Sequence, residues 1–138
     1  MRLFISIPMN GRTDEEVFAE IEQIKKVFND YISETAPDES VEFVNTFIQD
    51  EAPDECIAKP VWYLGESIKI LSTCDAILKA PNSHKSRGCH IEQQVAKTYG
   101  LDTYNLCGGE KDSISIWRIT KHEKSIPLIV LERRSKYG

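Results

Sequence analysis

The chain has 138 residues, 41% hydrophobic and 28% charged, an ordinary balance for a single soluble domain over residues 1–138 with a real core. Its net charge of −5 argues against a nucleic-acid polymer or an anionic membrane as main partner, while a local pocket for one phosphate stays open. No apolar run approaches the roughly 18 residues of a membrane helix, and Met1-Arg2-Leu3-Phe4-Ile5 reads as a strand rather than a signal peptide, so a cytoplasmic location is expected.

Leu3-Phe4-Ile5-Ser6-Ile7 is a short apolar run typical of a strand inside a parallel sheet. Pro8-Met9-Asn10-Gly11 breaks it, and Thr13-Asp14-Glu15-Glu16 forms a capping box. Val17, Ile21, Ile24, Phe28 and Tyr31 then follow at helical spacing, predicting an amphipathic helix from 14 to about 34. The loop between strand and helix offers backbone N–H groups to an anion. Val41 to Phe47 reads as a second strand. Gln49 to Lys59 is polar and reads as a surface loop over the site, its acids solvating it.

Val61 to Thr73 reads as a second helix, with Leu64, Ile68 and Leu71 inward. Asp75 to Ala80 is the third strand. A polar loop leads to a third helix, from about Arg87 to Tyr99, with Ile91, Val95 and Thr98 or Tyr99 on its inner face and Gly100 as its stop. Leu101 to Leu106 is a fourth strand. The segment from Glu110 to Ser125, with Ile114, Ile116 and Ile119, reads equally as a short helix or a sheet edge, and Pro127 to Glu132 as the last strand. Such alternation predicts a flavodoxin-like three-layer α/β sandwich on a parallel sheet of about five strands, order 2-1-3-4-5. Ligands in such sheets bind beyond the strand C-terminal ends, here where strands 1 and 3 diverge. That sets the Ile7–Gly11 loop opposite the Ser86–Glu92 turn.

Glu92 stands four residues before Ala96, so the two share a helix face. On spacing alone a solvent-facing charge in a first helical turn is the commoner occurrence. Held at a cleft, the helix dipole would keep the carboxylate ionised, suited to attack carbon or stabilise a cation. Cys56, Cys74, Cys89 and Cys107 form no C-x-x-C pair, which disfavours zinc and predicts reduced thiols, with Cys89 a candidate for a reactive one. His84 is a candidate proton donor to a leaving group, though a lone loop histidine is more often solvated; Arg87 reads equally as a bidentate phosphate donor or a solvent-facing charge, and Trp62 and Tyr63 either stack on a base or pack at the core edge.

The run Ser67…Cys74-Asp75-Ala76-Ile77…Ser86-Arg87-Gly88-Cys89-His90-Ile91-Glu92…Ala96, with the start Phe4-Ile5-Ser6-Ile7-Pro8-Met9-Asn10-Gly11, resembles the nucleoside 2-deoxyribosyltransferase superfamily. That superfamily includes the 2′-deoxynucleoside 5′-monophosphate N-hydrolases, and the chain is most similar to its small phage and bacterial members. The resemblance covers most of the chain, from Phe4 to about Tyr104. It implies that Glu92 is the nucleophile at C1′ of the sugar and that Asp75 is the aspartate at the strand start, catalytic or loop-ordering. It also implies that Ser86, with Arg87 and Gly88, meets the 5′-phosphate, and that Ser6, Pro8, Met9, Asn10 and Gly11 contact base and phosphate. Ser67 stands where the family has an acid; a hydroxyl can hydrogen-bond the sugar but cannot serve as a general acid. The tyrosine some transferases carry near the N-terminus is absent. No cofactor or metal is implied, and a homodimer or larger homo-oligomer is.

The function expected from these residues is N-glycosidic cleavage or transfer on a nucleoside or nucleoside 5′-monophosphate. The alternative is a protein that binds or sequesters a nucleotide-derived ligand without turnover. A redox flavodoxin-like protein is a weaker third reading, because the first loop lacks the Ser/Thr-rich character of a flavin phosphate site.

Overall fold

The computed structural model describes residues 1–108 and 117–122. Strands β1 (Arg2–Ser6), β2 (Glu42–Phe43), β3 (Ala76–Lys79), β4 (Asp102–Gly108) and β5 (Trp117–His122) form one sheet in the order β2-β1-β3-β4-β5. Helices α1 (Asp14–Thr35), α2 (Lys59–Leu71) and α3 (Arg87–Thr98) follow β1, β2 and β3 respectively. α1 packs on one face of the sheet, α2 and α3 on the other. No described helix is long and apolar enough to cross a membrane.

Period-two alternation divides the strand side chains between these faces. Leu3, Ile5, Ala76 and Leu78 turn toward α1, where Val17, Ile21, Ile24, Phe28 and Ile32 close the larger core. Phe4 and Ile77 turn the other way, against Leu71 of α2 and Ala96 of α3. Ser6, two residues beyond Phe4, therefore emerges under α3 at the C-terminal end of β1, wholly buried. α1 begins as its capping signal predicts, the Thr13 hydroxyl accepting from the Glu16 N–H at 3.2 Å.

Four expectations are corrected. The sheet is mixed, because β5 runs antiparallel to β4. Only residues 109 to 116 separate the two strands, too few for the crossover of a dozen or more that a parallel neighbour needs. β5 lies in the stretch that read equally as helix or edge; Pro127 to Glu132 falls outside the described residues. β2 is shorter than the expected Val41 to Phe47. Past the last ladder bond, Val44 N–H to Leu3 C=O, the Asn45 side chain accepts from Phe47 N–H at 3.0 Å and turns the chain away.

The inner face of α3 is the third correction. Cys89, Glu92, Gln93 and Ala96 are its buried residues, while Ile91 and Tyr99 are exposed. The sheet surface beneath the start of α3 carries the Ser6 hydroxyl, so the helix presents its polar side there. The fourth follows from the helix start. Glu92 lies in the second turn, beyond the reach of the N-terminal dipole.

Candidate functional site

Glu92 is 9% exposed, and each of its oxygens has a hydroxyl donor. Ser6 donates to Oε1 at 2.9 Å and Ser67 to Oε2 at 2.6 Å. Behind them Gln93 Nε2 donates to Ser83 at 2.8 Å and to Ser6 at 3.3 Å. Three elements thus converge on one carboxylate: β1 through Ser6, α2 through Ser67, and α3 itself. α3 can sit this close because its face carries Ala96, fully buried against Phe4 and Ile77.

Burial pushes the Glu92 carboxyl above the ordinary carboxylate range, and the bonds from Ser67 and then Ser6 act against that rise. The dipole argument for an ionised Glu92 therefore gives way to a different balance, desolvation opposed by two hydroxyl donors. Charge-assisted bonds of this kind contribute about 1.5–3 kcal/mol each. Because the native state holds the proton to higher pH than the unfolded chain, the contribution of Glu92 to stability is greatest below about pH 4 and is lost as pH rises through its native value. Glu92→Gln removes that loss and still satisfies both serines, accepting from one and donating to the other. Its melting temperature should exceed the wild type's by a few degrees near neutral pH, the gap closing in acid; a melting series across pH measures it.

The predicted site residues divide into three groups. Ser6 and Ser67 are brought to Glu92, but as donors to the carboxylate rather than as groups facing a substrate; Ser6 is 0% exposed. The β1–α1 loop lies at the same end of the sheet. Arg12 bonds the Pro8 carbonyl at 3.0 Å and pairs with Glu20, Met9 packs on the α1-side core, and Asn10 and Gly11 form the exposed tip. Gly11 has φ +75 in the turn closed by Arg12 N–H to Met9 C=O, a conformation glycine adopts without strain. Ser86, Arg87 and Gly88 open α3 one to two turns before Glu92, with Arg87 exposed.

Asp75 is not brought to the site. It is exposed at the start of β3 and accepts from the Arg2 N–H at 2.7 Å, the opposite end of the sheet from Ser6 and about 13 Å away along the strand direction. A residue that precedes a parallel strand lies at the N-terminal edge, so the aspartate orders the strand start. His84 is exposed in the short turn before α3. Tyr63 accepts from the Ala52 N–H at 3.1 Å and so pins the loop after β2 to α2. Cys89 is 3% exposed, and burial pushes its thiol up, with hydrogen bonds to Ser6 and Ser86 opposing, which makes it a poor nucleophile rather than the reactive thiol considered.

Gln93 and Ser83 escaped the sequence reading. The signal was present in the i, i+3, i+4, i+7 pattern Cys89-Glu92-Gln93-Ala96, masked by the more apolar Ile91 and Val95. A separate open groove of about 530 Å³ lies between β2 and α2, lined by Arg2, Phe43, Lys69, Ile70 and their neighbours. Its charges pair with one another, Arg2 with Glu42 and Lys69 with Glu66. No trio of His, Cys, Asp and Glu among the described residues converges as a metal site requires. Comparison of the chain with protein-family models, curated proteins and solved structures finds no match in any of the three.

Proposed function

We propose that the protein cleaves or transfers the N-glycosidic bond of a nucleoside or nucleoside 5′-monophosphate, with Glu92 as nucleophile, on a flavodoxin-like fold of the deoxyribosyltransferase type. The observation that supports this most is a buried glutamate gripped through both oxygens by serines from two other elements, at the strand end where α/β sheets bind ligands. Burying a carboxylate is costly, and donors from two other elements are a large investment for a merely structural acid.

In this reading one Glu92 oxygen attacks C1′, the C1′–N bond breaks, and the base leaves with the bonding pair. The serine on that oxygen turns away as the glycosyl ester forms, while the other holds the carbonyl oxygen. The leaving base takes its proton from the exposed His84 turn, since Ser6, Ser67, Gln93 and Cys89 are no acids near neutral pH. Water then attacks C1′, giving a proton to the His84 side chain as it does so, and frees Glu92, or a second base attacks in its place and the reaction is a transfer. Asn10 and Gly11 offer backbone and amide groups to base or phosphate. The start of α3, with Ser86, Arg87 and Gly88, receives the 5′-phosphate.

Gly88 bears on the phosphate end. A Cβ there would meet nothing within 4 Å, so packing does not require glycine. Gly88→Ala should leave stability unchanged or raise it by up to about 1 kcal/mol. It should raise KM for a 5′-monophosphate several-fold while leaving the unphosphorylated nucleoside unaffected, which steady-state kinetics on the pair resolves.

The reading carries with it a cytoplasmic protein, in keeping with four free cysteines, and a homo-oligomer, for which exposed Ile57, Val61 and Tyr63 offer apolar surface. Base release from a panel of ribo- and deoxynucleosides and their 5′-monophosphates tests it. Release of free base establishes the glycosidase, and incorporation of an added second base establishes transfer. The second reading, a ligand-binding or sequestering protein, is favoured by Ser67, which occupies Glu92 and supplies no acid. No release from any member of the panel, with thermal stabilisation by one of them, would decide for it.

A further inference from the structure

The Ser6 hydroxyl has one proton and three polar neighbours, the Glu92 carboxylate, the Gln93 amide and the Cys89 thiol. It lies 2.9 Å from Glu92 Oε1 and 3.3 Å from the Gln93 side-chain amide. An ionised carboxylate can only accept, so Ser6 must give its proton to Glu92, and that requires the atom of Gln93 that faces Ser6 to be the N–H donor. In that orientation the same nitrogen also donates to Ser83, 2.8 Å away and 2% exposed. Its own backbone is anchored, with Ser83 N–H to Ala80 C=O at 3.1 Å and Ser86 N–H to Ser83 C=O at 3.0 Å. The chain of donors runs Gln93 to Ser6 to Glu92, with Ser83 holding Gln93, and every member is buried.

We propose that Gln93 is a positioning residue that commits the Ser6 proton to Glu92 and thereby holds the nucleophile in its ionised, attacking form. This rests on the reading of Glu92 as the nucleophile and adds the device that keeps it ready. Around Glu92, α3 itself contributes the titratable Cys89. β1 presents Ser6 and α2 presents Ser67, while Glu66 of α2 is paired with Lys69. β3 presents Lys79, whose charged neighbour is Lys97. No cation among these sets the charge of Glu92, which leaves it to the hydrogen bonds.

The test is the titration of the Glu92 carboxyl carbon by NMR in the wild type and in Gln93→Met, a substitution of similar shape with no donor. The Glu92 midpoint should rise by about one unit, and where base release is measurable the acid limb of its pH profile should rise with it while KM holds. An unchanged midpoint would overturn the proposal. Ser6→Ala keeps the test decisive should Gln93→Met fold poorly. It should raise the midpoint by itself, and Gln93→Leu, which likewise lacks a donor, should then add no further shift, because its effect runs through the Ser6 hydroxyl. The two readings fail separately. A wild type that releases no base defeats the glycosidase and leaves the titration intact; base release with an unmoved midpoint defeats only the role of Gln93.

Discussion

Glu92→Ala is expected to lower the rate of base release by at least about 10⁴-fold, the scale on which removal of a covalent nucleophile acts. The loss should fall on kcat, because the methyl group leaves the two βα loops in place. Glu92→Gln, which keeps the shape and both serine contacts, should be as inactive as the alanine variant while remaining at least as stable as the wild type. Glu92→Asp draws the carboxylate back by one methylene from Ser6 at 2.9 Å and Ser67 at 2.6 Å, and should retain a small residue of activity. Chromatographic assay of free base against time, on all three variants, reads these differences. A Glu92→Gln rate within tenfold of the wild type would remove the carboxylate from the chemistry. The contrast between lost turnover and kept stability separates this residue from an ordinary buried group, whose loss costs the fold.

Phe28→Ala is expected to behave in the opposite way. Phe28 is fully buried on the α1 side of the sheet, with ring centroids 5.1 Å from Tyr104, 5.9 Å from Tyr31 and 6.1 Å from Phe43. One ring thus ties α1 to β2 and β4, and the two edge-on contacts, to Phe43 and Tyr104, have the favoured aromatic geometry. Truncation should cost about 3–5 kcal/mol, a large part of the roughly 5–15 kcal/mol that holds a domain folded. Phe28→Leu, which keeps most of the volume, should cost about 1.5 kcal/mol or less. Urea titration of the three proteins measures this. The cluster lies across the sheet from Glu92, so activity per folded molecule should be unchanged in Phe28→Leu. A loss of less than about 1 kcal/mol in Phe28→Ala would mean that the aromatic cluster does not carry the α1 interface.

The sequence by itself determined the scaffold and the residue of interest. Apolar runs and capping signals are local, so the first four strands and three helices, the order β2-β1-β3-β4 and the pairing of Glu92 with Ala96 on one face were legible, while the last strand was expected at Pro127 to Glu132. The direction of the fifth strand was not, because Ile114, Ile116 and Ile119 suit an edge strand and a helix alike; the choice lies in pairing with β4. The inner face of α3 was misjudged because periodicity counts apolar residues, and here what lies beneath the helix is a serine. Asp75, left open in the sequence as catalytic or loop-ordering, belongs to the same motif as Glu92, yet a parallel strand carries the chain from one edge of the sheet to the other between them. The grip of Ser6 and Ser67 on Glu92, and of Gln93 on Ser6, spans separations of up to 87 positions that no spacing rule connects. Only the packing of α2 and α3 over the end of β1 brings those hydroxyls to one carboxylate. The tertiary structure also decided the balance of that carboxylate, because burial that raises its proton affinity and hydroxyls that lower it exist only once the three elements meet.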